Sequence, residues 1–133
     1  MLTYIREQKD WMEKWKNFSL DEFKCQCGCN NFQMHVAMLD LLQIARERIG
    51  KIVINSAYRC PTYNAKVSST GETGPHTTGK AVDLHISDSQ DLKLFITFFA
   101  PRVYGLGVAK TFLHIDLLEK ADGFPMRPNA WTY

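Results

Sequence analysis

No stretch of these 133 residues approaches the roughly 18 consecutive apolar residues that a membrane span requires. The first 16 residues are amphipathic and charged where a secretory leader would be continuously apolar, so the sequence predicts no export signal of its own. A basic excess is also lacking. Sixteen Lys and Arg face 14 Asp and Glu, for a net charge of +2, and a nucleic-acid partner is therefore not expected. No internal repeat and no low-complexity tract interrupts the chain. Cysteine occurs only at positions 25, 27, 29 and 60, too sparsely for a disulfide-built scaffold, and the thiols are expected to be reduced where the protein is made.

The remainder is ordinary for a folded chain. With 45% hydrophobic and 23% charged residues, this length can bury one continuous core. The expectation is one domain over 1–133, acting as a monomer. Tyr4, Ile5, Gln8, Trp11, Met12 and Trp15 recur at helical spacing. They predict a helix over 3–16, an N-terminal piece (1–17) that docks on a core formed by 18–133. Ser19 followed by Glu22 has the form of a capping box. Met34, Met38, Leu41, Leu42, Ala45 and Ile49, closed by Gly50, predict a long core helix over 32–49, with His35 on its surface. Ile52-Val53-Ile54 predicts a buried strand, and Pro61 stands where a second helix can begin. Ser68 to His76, rich in Gly, Ser, Thr and Pro, reads as a surface loop.

Ala81 to Ile86 and Phe112 to Leu118 alternate strictly. Val82, Leu84 and Ile86 share one face, with Asp83 and His85 on the other; Leu113, Ile115 and Leu117 likewise oppose His114 and Asp116. Between them, Ser87 or Ser89 can cap a helix over about 89–99 that ends before Pro101. As antiparallel neighbours, the two strands would gather Asp83, His85, His114 and Asp116 into one patch of imidazole and carboxylate donors. His76 can fold back over that patch, since Gly79 permits a tight return. Two imidazoles and a carboxylate form the three-protein-ligand set of a catalytic zinc, whose fourth position stays open. By spacing alone, plain surface and core residues account for these groups equally well. The fold class that follows is α+β: a small, mostly antiparallel sheet with helices on one face and the metal-capable groups on the other. The tail Gly123–Tyr133 ends in Trp131 and Tyr133, too large and apolar to hang free.

The turn Ser56-Ala-Tyr-Arg59-Cys-Pro-x-x-Asn64, the run His76-x-x-Gly79-x-Ala81-x-Asp83 and the later His114-x-Asp116 resemble, in order and spacing, the zinc D-alanyl-D-alanine carboxypeptidase family. That family shares its fold with Hedgehog signalling domains. The resemblance runs from about Phe18 to the Trp131 region. It implies one catalytic Zn2+ held by His76, Asp83 and His114. It further implies Arg59 on the substrate carbonyl or carboxylate, where a forked, permanently charged donor suits an oxyanion. Ser56 and Tyr58 would shape the same wall, and Asn64 would be a structural hydrogen-bonder. The implied substrate is peptidoglycan, cut at a terminal D-Ala-D-Ala bond or at a cross-bridging peptide bond. Short versions without a leader resemble phage lysis enzymes, made in the bacterial cytoplasm and acting at the cell wall after release by other means.

One departure bears on the chemistry. Many members of that family carry a glutamate or histidine general base two or three residues ahead of the third ligand, where this chain has Thr111 and Phe112. Asp116, in the His-x-Asp form of a subgroup, is the candidate replacement, with His85 in reserve. The alternative for Asp116 is to orient a ligand histidine. Without a base, the domain would be a non-catalytic, zinc-containing binding module; a third reading is a component of a phage particle that uses the domain for local wall penetration. Cys25, Cys27, Cys29 and Cys60 leave three readings open: a second zinc site, a cluster of small buried residues, or a disulfide from Cys60 to one of the others after export.

Overall fold

In the computed structural model, which describes residues 2–133, the two strictly alternating segments become the central strands of a sheet. The chain runs through β1 (Tyr4–Ile5), β2 (Met34–His35), α1 (Val36–Ile49), β3 (Ile54–Ser56) and α2 (Pro61–Val67). It continues through β4 (Ala81–His85), α3 (Ser89–Phe99), β5 (Gly105–Val108), β6 (Phe112–Asp116) and β7 (Asn129–Thr132). β1 and β2 form a small antiparallel pair. The main sheet has the order β3-β4-β6-β5-β7, antiparallel except for the parallel β5–β7 edge. This is an α+β architecture. Among the described residues no helix is long and apolar enough to cross a membrane.

Alternation sorts the two faces. Val82, Leu84, Leu113 and Ile115 point to one side and are fully buried against Met38, Leu42 and Ala45 of α1 and Phe95 and Phe99 of α3. Each such large side chain contributes about 1.5–3 kcal/mol on burial. The opposite face is left to Asp83, His114 and Asp116. α3 begins at Ser89 as its spacing predicts, but its cap is Asp88, whose carboxylate accepts the Asp91 N–H at 2.8 Å.

The N-terminal segment departs from its periodicity. Instead of a helix over 3–16, β1 pairs with β2, a single 3-10 turn spans Gln8–Asp10, and Trp11 is extended. A helix would have aligned Gln8 and Met12 with Ile5 and Trp15, yet Gln8 and Met12 are exposed while Ile5 and Trp15 are buried. Tertiary contacts outweigh local propensity here: the Val36 N–H bonds the Thr3 carbonyl, and the Trp15 indole N–H reaches Asp40 at 2.8 Å. The same pairing delays α1 to Val36. His35 becomes its cap, with Nδ1 accepting the Ala37 N–H, in place of a helix-surface residue. The capping box of Ser19 and Glu22 forms as expected. The strand after α1 lies two residues later than Ile52–Ile54, because the ladder to β4 runs through Ile54 and Ser56 around an irregularity at Asn55.

Candidate metal centre

The register of the central strands sets Asp83 of β4 directly opposite His114 of β6, and Ala81 opposite Asp116. His76 arrives from a 3-10 turn, Pro75–Thr77, that follows the Gly/Ser/Thr loop. The turn is tied down twice: the Arg59 N–H bonds the His76 carbonyl at 3.0 Å, and His76 Nδ1 lies 2.7 Å from the Ala57 carbonyl. One donor atom from each of His76, Asp83 and His114 comes within 4.8 Å of the others, and all three residues are buried.

The proton positions follow from the partners. A carbonyl only accepts, so His76 Nδ1 carries a proton, which turns Nε2 toward Asp83 Oδ1, 3.3 Å away. On His114, Nε2 donates to Asp116 Oδ2 at 2.8 Å, which turns Nδ1 toward Asp83 Oδ1 at 3.0 Å. Nε2 of His76 and Nδ1 of His114 therefore face one carboxylate oxygen. The arrangement fits zinc: each imidazole is fixed in its tautomer by an outer acceptor, as ligand histidines ordinarily are.

Burial disfavours the charged form of Asp83, but hydrogen bonds from His114 and His76 outweigh it and hold the carboxyl well below the usual carboxylate range. Burial likewise works against a charged His114, yet its bonds to Asp116 and Asp83 raise it above the ordinary histidine value. An incoming ion must displace the His114 proton. Zinc affinity should accordingly rise with pH through and beyond the ordinary histidine pKa of about 6.5. Calorimetric titration at several pH values checks this, and a flat profile would contradict it.

Asp116 does not lie where a general base is needed. It is fully buried, and its oxygens are taken by four donors: the Arg127 Nε and Leu118 N–H on Oδ1, His114 Nε2 and the second Arg127 nitrogen on Oδ2. Burial raises its pKa, but His114 and Arg127 overcome that and lower it. A carboxylate so engaged orients His114 and has no oxygen left for a proton from the cleft. The expectation of a base at Asp116 is corrected on this ground. His85 is exposed at the far end of β4, opposite Phe112, and does not line the cleft either.

The cleft over the centre measures about 860 Å³, and Arg59, His76, Asp83, His114, Trp131 and Tyr133 are among the residues lining it. Arg59 keeps 18% of its side chain exposed. It sits 3.8 Å from Asp83 Oδ2 and donates to Asn64 Oδ1 at 3.1 Å. Asn64 is fully buried and in turn donates to Thr70 and Gly71, bracing the loop. Ser56 and Tyr58 depart from expectation. Ser56 is buried opposite Asp83, and Tyr58 lines a separate groove with Tyr4 and Phe32. Tyr58 thus stays outside the cleft that its neighbour Arg59 enters.

Several contributors lack any sequence signal of the kind that marks a ligand. Arg127 is nearly buried and pairs with both oxygens of Asp116, while its guanidinium lies 4.7 Å from the centre of the Trp131 ring. Trp131 in turn packs 5.3 Å from the His114 ring. The Asp116 carboxylate and the Trp131 indole need Gly105 and Gly107 on β5, since a Cβ there would overlap them. Only the bulk of the tail hinted at this docking.

A small α+β chain whose sheet gathers two histidines and an aspartate beneath an open cleft has the layout of a metal-dependent hydrolase. The family model for Peptidase M15 matches residues 16–116, and the chain belongs to that family. Its members are metal-dependent peptidases, usually with zinc. The matched region holds all three candidate ligands together with Arg59 and Asp116; Arg127 and Trp131 lie beyond it. No curated protein and no solved structure matches the chain.

Proposed function

We propose that the chain is a zinc peptidase of the bacterial cell wall, cutting the peptide part of peptidoglycan at a D-Ala-D-Ala or cross-bridging bond, in the manner of a phage lysis enzyme. The observation that carries this reading is the convergence of His76, Asp83 and His114 at the foot of a cleft that Arg59 enters from the side. These three residues would hold the ion through His76 Nε2, an Asp83 oxygen and His114 Nδ1. Zinc so held would polarise the scissile carbonyl and acidify a water.

Arg59, anchored by Asn64 and still partly exposed, binds the carbonyl or terminal carboxylate of the peptide. Its charge meets the negative charge that develops on the reacting oxygen. Asp116 and Arg127 keep His114 in one tautomer and one orientation. Trp131 and Tyr133 form an apolar wall suited to the short side chains of a wall peptide.

A non-catalytic binding module is the second reading, and the occupied oxygens of Asp116 favour it. The other carboxylate lining the cleft besides Asp83 is Asp122, which is held by Lys80 at 2.9 Å. Incubating the zinc-loaded protein with purified peptidoglycan and identifying new termini by mass spectrometry separates the two. New termini support the peptidase; binding without cleavage supports the module. If cleavage occurs, Arg59→Lys should lower turnover by about 10²–10³-fold, the usual cost of a lost oxyanion donor, with zinc content unchanged. Turnover equal to the parent protein would remove Arg59 from the chemistry.

A further inference from the structure

Away from the cleft, the chain carries a second constellation for which the peptidase chemistry has no use. Cys25, Cys27 and Cys29 lie on one short loop, and Cys60 stands 31 positions beyond Cys29, immediately before α2. The fold nevertheless brings all four sulfurs within 4.8 Å of one another. Cys25 Sγ is 3.4 Å from Cys27 Sγ, which is 3.8 Å from Cys60 Sγ. A tetrahedral zinc with Zn–S bonds of about 2.3 Å sets its sulfurs about 3.8 Å apart. The observed spacings match that tetrahedron.

The backbone is shaped to the sulfurs as well. Gly28 and Asn30 adopt positive φ, 90° and 62°, curling the loop so that three alternate sulfurs converge on Cys60 instead of lining one side of an extended strand. Two backbone N–H groups point at sulfur: Asn31 toward Cys29 at 3.4 Å and Cys60 toward Cys25 at 3.3 Å. Donors of this kind are what a thiolate accepts. Cys27 and Cys29 are exposed, so the group is not a packed apolar cluster. A single disulfide would leave two of the four sulfurs unused.

We propose that Cys25, Cys27, Cys29 and Cys60 bind a second, structural zinc ion, with all four positions closed by thiolate and none open for substrate. Binding releases the thiol protons to solvent and involves no redox change. The site staples the N-terminal loop to the turn that carries Arg59, where the Gln26 side chain already reaches the Asn55 carbonyl and the Tyr58 N–H reaches the Phe23 carbonyl.

The test uses His114→Ala protein with its cysteines intact, prepared with zinc under reducing conditions, so that the cleft ligands and the thiolates are read separately. We expect about one equivalent of zinc, an X-ray absorption spectrum with four sulfur neighbours at about 2.3 Å, and thiols that react only after a chelator is added. The Cys27→Ser variant in the same background should lose that zinc. The Cys27 side chain is exposed and fills no part of the core, and the absorption measurement needs no cysteine variant at all. Less than half an equivalent of zinc, a shell of nitrogen and oxygen only, or a cysteine pair found oxidised in that preparation would overturn the proposal. None of these outcomes bears on the cleft, whose own metal is lost by design in this protein.

Discussion

Replacing His114 with alanine is expected to lower the zinc content by one equivalent relative to the parent chain and to reduce peptidoglycan cleavage to the uncatalysed background. Of the two candidate ligand histidines, His114 is the one held by a carboxylate on both sides, with Asp83 at Nδ1 and Asp116 at Nε2. Its loss leaves one imidazole and one carboxylate, too few to fix an ion in place. Zinc that binds only the native state should stabilise the parent by about 4 kcal/mol at a thousand times its dissociation constant, and the cleft's share of that gain should vanish in the variant. Metal analysis together with thermal unfolding at stepped zinc concentrations measures both. An unchanged metal content would remove His114 from the ligand set.

The second large effect is expected at the buried pair beneath that histidine. Arg127→Ala strands the Asp116 carboxylate, fully buried, without its counter-charge. Breaking such a pair from one side costs about 3–5 kcal/mol, readable as a lower urea midpoint. Asp116→Asn acts more narrowly. It should weaken zinc binding by about 10–100-fold, the usual weight of an outer partner to a ligand histidine, and cleavage should return as zinc is raised. A variant fully loaded with zinc yet inert would instead make Asp116 the base, against the geometry of its four donors.

The alternation of Val82, Leu84, Leu113 and Ile115 with Asp83, His114 and Asp116 was legible in the sequence, because a period of two fixes which side chains share a face. The cross-pairing of Asp83 with His114 follows from it once the two strands are neighbours. The span of α3 and the start of α2 were equally legible, since apolar spacing and a proline at the first helical position are local, although the cap of α3 proved to be Asp88. Residues 3–16 were not. Their spacing suits a helix, and only the distant partner Met34–His35 makes Tyr4–Ile5 a strand. The function of Asp116 was illegible for the same reason. Two residues from His114, it could serve as base or as orienter, and what decides is Arg127, placed against it by a tail whose strand pairs with β5. Gly105 and Gly107 carry no local signal of their purpose. In the sheet they are the space into which a carboxylate and an indole fit.

The origins of the three candidate ligands divide the centre into a fixed side and a hinged side. Asp83 and His114 sit on cross-paired strands in the interior of the five-stranded sheet, where amides exchange with solvent only as the whole domain opens. His76 rides on a loop held by single hydrogen bonds, to the Ala57 carbonyl and from the Arg59 N–H at His76, from Asn64 at Thr70 and Gly71, and from Gln33 and the His35 N–H at Thr78 and Gly79, contacts that a local excursion can break. Ions would therefore enter and leave by the swing of residues 68–79. The lifetime of the bound state would then be set by the opening rate of that loop, independently of the global stability of the fold.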